Sequence, residues 1–184
     1  MKIAYIIFDG ITWLDLAGIY DALSRIKSGN YIKDFSWDIC SNTPTAKDIY
    51  GLEMKAGIIG QPLSDYDAVV VPGGHGTRKL ISDETFLQWI KTAEPVKYKI
   101  SICTGSLILG AAGFLTSKRA TTNYLEYETL KPYCREVVEE RIVEDGNVIT
   151  AGAVSASIDL GLYLCEKWAG TRAREDIQKK MNVS

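Results

Sequence analysis

The chain reads as short apolar runs of strand length, separated by segments whose apolar residues recur at helical spacing. Ile3 to Phe8 is the first run. It lacks polar–apolar alternation, the mark of a strand covered on both faces and hence of a parallel sheet. Asp9-Gly10 ends it, and Trp13 to about Lys27 follows as the first helix, before a break at Ser28-Gly29-Asn30. Phe35 to Ser41 alternates as a second strand, and Asp48 to Ala56, with Gly51 near its middle, resembles a short hairpin. Ala68 to Pro72 is a third, buried strand closed by Gly73-Gly74-His75-Gly76. Ser82-Asp83 caps a helix from Glu84 to Ala93. Tyr98 to Ile102 is the fourth strand, followed by a turn at Cys103 and a helix to Ala112.

In the second half, Arg119 to Thr122 reads as a short strand and Asn123 to Leu130 as a helix stopped by Pro132. Arg141 to Ala151 holds two strand-like runs joined at Asp145-Gly146-Asn147, a hairpin turn. Ser155 or Ser157 opens a long apolar helix to about Trp168, and Thr171 to Met181 is a charged amphipathic surface helix. This alternation predicts one α/β domain over residues 1–184, a doubly wound, mostly parallel, flavodoxin-like sheet flanked by helices. In such a fold the carboxyl ends of the first, third and fourth strands converge. They bring Asp15, Gly73-Gly74 and Cys103 together.

Composition narrows the field. Among 184 residues, 46% are hydrophobic and 24% charged, as in an ordinary globular protein with a sizeable core. A formal net charge of −2 offers nothing to a nucleic-acid backbone. No apolar run approaches the length of a membrane span, and Met1-Lys2 followed by six apolar residues meets Asp9 too soon for a secretory leader. The four cysteines, Cys40, Cys103, Cys134 and Cys165, form no close pair, so neither a disulfide scaffold nor a zinc site is expected, and a cytoplasmic home is. A single histidine excludes a His-rich metal centre.

The stretch Lys99 to Gly110 carries the candidate chemistry. Cys103 follows an apolar strand and precedes small residues that open a helix, where unpaired N–H groups would favour the thiolate and lower its pKa. Local sequence leaves two readings open: a nucleophile, or one more small buried cysteine. Asp15, between Leu14 and Leu16, is either an acid favoured by the helix N-terminus or a proton donor to Cys103. If the two meet, they share one proton. Backbone amides of Gly74 and Thr104, beside Gly73, are placed to hold developing negative charge. His75 is either a general base for Cys103 or a solvent-facing loop residue. Trp13, Tyr20 and Tyr124 line a pocket or belong to the core.

Five stretches together carry a family resemblance: Phe8 to Gly18, Val71-Pro72-Gly73-Gly74, Ser101 to Leu115, Arg119 to Thr122, and Asp145 to Gly152. The chain resembles the ThiJ/PfpI superfamily of class I glutamine amidotransferase-like proteins, and within it the isocyanide (isonitrile) hydratase branch. The resemblance implies an α/β sandwich, a nucleophile at Cys103, a partner acid at Asp15 and an oxyanion site from the backbone of Gly74 and Thr104. It also implies a small-molecule substrate, a homodimer, and chemistry without a metal or other cofactor. Three features depart from the hydratase pattern. Asn123 stands where a histidine often follows Ala-Thr-Thr, Ile19 where a proline commonly follows the first helix's glycine, and the chain ends soon after its last helix. Thr104 occupies the position of the protease members' histidine, which disfavours a Cys–His peptidase. Other readings are an amidase, glyoxalase or deglycase activity, or a sensor in which Cys103 is oxidised to a sulfinic acid held by Asp15.

Overall fold

A computed structural model describes residues 1–183; Ser184, the last residue of the expected domain, lies outside the described residues. In chain order the elements are β1 (Lys2–Ile6), α1 (Trp13–Ser28), β2 (Ser36–Ser41), β3 (Thr45–Lys47), β4 (Glu53–Lys55), β5 (Ile58–Ile59) and β6 (Ala68–Val71). Then come α2 (Thr77–Leu80), α3 (Glu84–Lys91), β7 (Tyr98–Ile102), α4 (Gly105–Ala111), β8 (Arg119–Ala120) and α5 (Tyr127–Leu130). The chain closes with β9 (Glu136–Val137), β10 (Ile142–Asp145), β11 (Val148–Ala151), α6 (Ala156–Ala169) and α7 (Thr171–Met181).

Seven strands form one sheet in the order β10-β11-β7-β6-β1-β2-β5. All neighbours are parallel except the β10–β11 hairpin at one edge. The fully buried strand residues explain the apolar runs: Ile3 to Ile6 of β1 and Ala68 to Val71 of β6 lie at the centre, covered on both faces. Two groups of helices flank the sheet. One is α1, α6 and α7, and the other gathers around α4. Largest among the fully buried side chains are Tyr5, Phe8 and Phe86. Full burial of an apolar side chain of this size stabilises by roughly 1.5–3 kcal/mol.

Local chemistry accounts for most element ends. The Asp83 carboxylate accepts the Phe86 N–H at 3.0 Å and caps α3, as the sequence predicts. Asp48 Oδ1 accepts the N–H groups of Tyr50 and Leu52, both at 2.9 Å, and closes the β3–β4 hairpin. Three expectations need correction. The first strand stops at Ile6, because Phe8 and its neighbours enter a turn. Thr121 and Thr122 lie beyond β8 and use their side chains and backbone in hydrogen bonds to β11 and Cys103. Pro132 does not end a helix. It sits at the start of a 3-10 turn, Lys131–Tyr133, where its missing N–H is not needed, and the expected helix before it splits into a 3-10 turn and α5. Of the two serines expected to open α6, Ser155 does so from the N-cap position, without a side-chain capping bond, and Ser157 lies inside the helix. The two-residue strands β5 and β9 and the single turn of α2 carry too little periodicity to be read in advance.

The helices α1 and α6 approach so closely that glycine is required. A Cβ on Gly18 would stand 2.1 Å from Ser157 Oγ, and one on Gly161 would stand 2.6 Å from Ala22 Cβ. The Ser157 hydroxyl also donates to Leu14 O at 3.1 Å, tying α6 to the first turn of α1. Gly18→Ala is therefore expected to destabilise the fold by about 1–3 kcal/mol through overpacking, read as a lower urea midpoint with an unchanged slope.

Candidate active site

The sheet order sets β1, β6 and β7 side by side, so their carboxyl ends meet as expected. At the end of β7 the backbone of Cys103 turns left-handed, with φ +53°. That conformation costs a non-glycine residue roughly 1–2 kcal/mol, and the surroundings hold it. The Cys103 N–H donates to both Ala151 O (2.9 Å) and Gly152 O (2.8 Å) at the end of β11. Its carbonyl accepts from Thr122 Oγ1 (2.9 Å) and Ser106 Oγ (3.1 Å). Gly105 then lets α4 start against β6, since a Cβ there would lie 2.1 Å from Val71 O. A strained strand-to-helix elbow of this kind projects a nucleophile from the sheet edge.

Asp15 sits in the first turn of α1 with no exposed surface. Gly73 N–H donates to its Oδ2 at 2.9 Å, while Oδ1 is buried without a hydrogen-bond partner. Burial raises the carboxyl pKa to about 7, and the Gly73 amide and the Cys103 thiol pull it only part of the way back. The thiol does not behave as its position at a helix start led us to expect. Burial pushes Cys103 up, and the Asp15 charge pushes it further; the Asn123 amide and Thr104 oppose this. α4 spans only Gly105–Ala111, and its N-terminus is too weak to outweigh the loss of water. Both groups are thus pushed toward their neutral forms, and the charge of Asp15 disfavours that of Cys103.

The two glycines are less free than predicted. Gly74 N–H donates to Thr104 Oγ1 at 3.0 Å, and that hydroxyl in turn donates to Gly74 O at 3.2 Å. With Gly73 N–H on Asp15, this leaves the Thr104 amide, which faces the Cys103 sulfur. The Gly74–Thr104 oxyanion pair therefore forms only if the Thr104 hydroxyl swings away. The absent Gly73 side chain keeps the space open, because a Cβ there would come within 2.6 Å of Thr104 N and 2.9 Å of Asp15 Oδ2. His75 is exposed in the turn after these glycines, and no hydrogen bond joins its ring to Cys103 or Asp15 among the described residues. The structure places His75 as a solvent-facing loop residue.

Two contacts were not legible in the sequence. Asn123 Nδ2 donates to Cys103 Sγ at 3.5 Å. Arg78 donates to Gly74 O at 3.1 Å and pairs with Glu126, bridging the two segments on either side of the cysteine. Tyr124 and Tyr127 line a hollow of about 210 Å³ beside Thr122 and Gly152, next to the elbow. Trp13 and Tyr20 instead line a separate apolar groove of about 390 Å³ between α1 and the β3–β4 hairpin. Cys40 and Cys165 are buried and raised by burial, Cys165 to about 12, and serve the core. Among the described residues no three His, Cys, Asp or Glu side chains gather as a metal centre, and no helix is long and apolar enough to cross a membrane.

A mostly parallel α/β sheet with a left-handed cysteine at a strand-to-helix turn and a buried acid on the adjoining helix defines the class of fold and site. Within that class, the chain belongs to the DJ-1/PfpI family, whose pattern it matches over residues 1–167. It is 33% identical to the isonitrile hydratase of Pseudomonas putida over 186 residues, spanning all of this chain and 79% of the hydratase. It is 31% identical to DJ-1 homolog A of Arabidopsis thaliana over 63% of this chain but only 31% of that longer protein. Its fold superposes on a ThiJ/PfpI family protein from Pseudomonas syringae with a TM-score of 0.90, at 27% identity, covering all of this chain and 75% of that one. Schizosaccharomyces pombe DJ-1 shares the fold at a TM-score of 0.81 and 19% identity, with full coverage of both chains.

The buried carboxyl makes stability depend on pH. Asp15 holds its proton to about pH 7 when folded, against an ordinary value of 3.8. Between these values the unfolded chain binds fewer protons, so stability falls as pH rises. Asp15→Asn is expected to be more stable than the parent at pH 8, by up to roughly 4 kcal/mol, with the advantage vanishing toward pH 4. Urea midpoints measured across this range check the sign.

Proposed function

We propose that the protein is a cysteine-dependent enzyme that hydrates small isocyanides to N-substituted formamides. The observation that carries this is the Asp15 carboxyl, which is sealed from solvent, raised to about 7 and left with one free oxygen beside the Cys103 elbow. An acid so tuned can donate and recover a proton near neutral pH. The likeness to the Pseudomonas putida isonitrile hydratase, over all of this chain and 79% of that enzyme, supports the choice of substrate class.

The steps balance with these two groups and water. The thiolate forms a bond to the terminal carbon of R–N≡C, and Asp15 gives that carbon its proton, yielding a thioimidate. Water adds to the same carbon, its proton passing through Asp15 to nitrogen. The C–S bond then breaks, the new hydroxyl returns a proton to Asp15, and R–NH–CHO leaves as the thiolate reforms. The Thr104 amide beside the sulfur stabilises negative charge there at each end of the cycle. The cycle requires no cofactor.

We also propose a homodimer. Leu14, Leu52 and Met54 are 52%, 63% and 38% exposed along α1 and the β3–β4 hairpin, an apolar surface that a second copy would cover.

Turnover of an aliphatic isocyanide, followed by formamide signals in NMR, is expected for the parent protein and lost in Cys103→Ala. Asp15→Asn should lower kcat by roughly 100-fold or more. A parent protein that leaves isocyanides untouched but consumes amides or α-oxoaldehydes through Cys103 would replace the substrate assignment. For the dimer, sedimentation should give twice the chain mass, shifting toward monomer in Leu52→Glu.

A further inference from the structure

Asn123 is held so that its amide has one orientation. Its Oδ1 accepts the Leu125 N–H at 3.0 Å, which starts the 3-10 turn Tyr124–Glu126. Nδ2 is thereby turned onto Cys103 Sγ at 3.5 Å. The preceding residue, Thr122, holds the Cys103 carbonyl through its hydroxyl at 2.9 Å. One short segment thus grips the cysteine at both backbone and sulfur.

We propose that Asn123 is a fixed donor to the Cys103 sulfur that stabilises its anion without carrying a proton, which leaves Asp15 as the sole proton carrier at this centre. The proposal rests on Cys103 being the reactive thiol of the function above, and it does not depend on the substrate. A primary amide donates at every pH the protein meets, and a donor to the charged form of an acid favours that form. The Asn123 amide is among the influences that offset the upward push of burial on this thiol. A histidine at the same place would itself titrate near neutrality. The other groups around the sulfur leave room for this role. Asp15 faces it from α1 and is the charged group acting on it, and Thr104 faces it from the elbow. His75 is exposed, and Arg78 and Glu126 engage each other.

The test is alkylation of the full chain by iodoacetamide, in which the S–C bond forms and iodide leaves. Rates are followed from about pH 5 to pH 9, with peptide mapping to separate Cys103 from Cys40, Cys134 and Cys165. Asn123→Ala should slow Cys103 alkylation at neutral pH by roughly three- to tenfold and move its rise to higher pH. Asn123→Ser keeps an oxygen for the Leu125 N–H but is too short to reach the sulfur, so it should slow alkylation equally while preserving the turn. Asn123→His should add a second inflection near pH 6.5. Parent-like profiles in the folded Ser or Ala variant would overturn the proposal. So would a parent Cys103 no faster than Cys134, which would also remove the nucleophile. Because alkylation needs no isocyanide, failure of the hydratase assignment leaves this result readable on its own.

Discussion

One residue held in an unfavourable backbone conformation sets the geometry of everything around it. Cys103 is left-handed, and four hydrogen bonds converge on its N–H and carbonyl, from the end of β11, from Thr122 and from Ser106. At about 1 kcal/mol each, such bonds offset the conformational strain. They also make the elbow a joint among β7, β11, α4 and the segment after β8. The parallel order of β1, β6 and β7 then decides which other chain ends arrive at that joint. The site follows from the topology.

Electrostatics at the joint are governed by loss of water. A helix N-terminus favours an anion by a fraction of a kilocalorie to about 1 kcal/mol when exposed, whereas burial disfavours any lone charge much more strongly. Cys103 and Asp15 are both buried, and both are pushed toward their neutral forms. What remains for the surroundings to decide is which of the two ionises more readily. Donors to sulfur from Asn123 and Thr104 favour a thiolate, and the unpartnered Asp15 Oδ1 is a vacant seat for the proton.

Much of this was legible in the residues. The uninterrupted apolar runs of β1 and β6 pointed to a parallel sheet, and the parallel sheet brought Asp15 and the Gly73-Gly74 turn to Cys103. Those inferences rest on periodicity and on connection rules that hold across folds. Side-chain direction and burial were not legible. Whether the Gly74 amide is free depends on a rotatable Thr104 hydroxyl, and whether a thiol is acidic depends on water excluded by residues far along the chain. Asn123 could be seen as a departure from a hydratase-like histidine, but not as a partner of sulfur. The turn that orients it, closed by the Leu125 N–H, has no strong sequence mark.

The guanidinium of Arg78 touches the Gly74 carbonyl on one side and the Glu126 carboxylate on the other. Arg78 and Glu126 lie 48 positions apart in the chain. The contact joins α2 to the 3-10 turn Tyr124–Glu126 and so ties the stretch after β6 to the stretch after β8. Among related sequences, a charge reversal at one end of this pair should be accompanied by its mirror at the other.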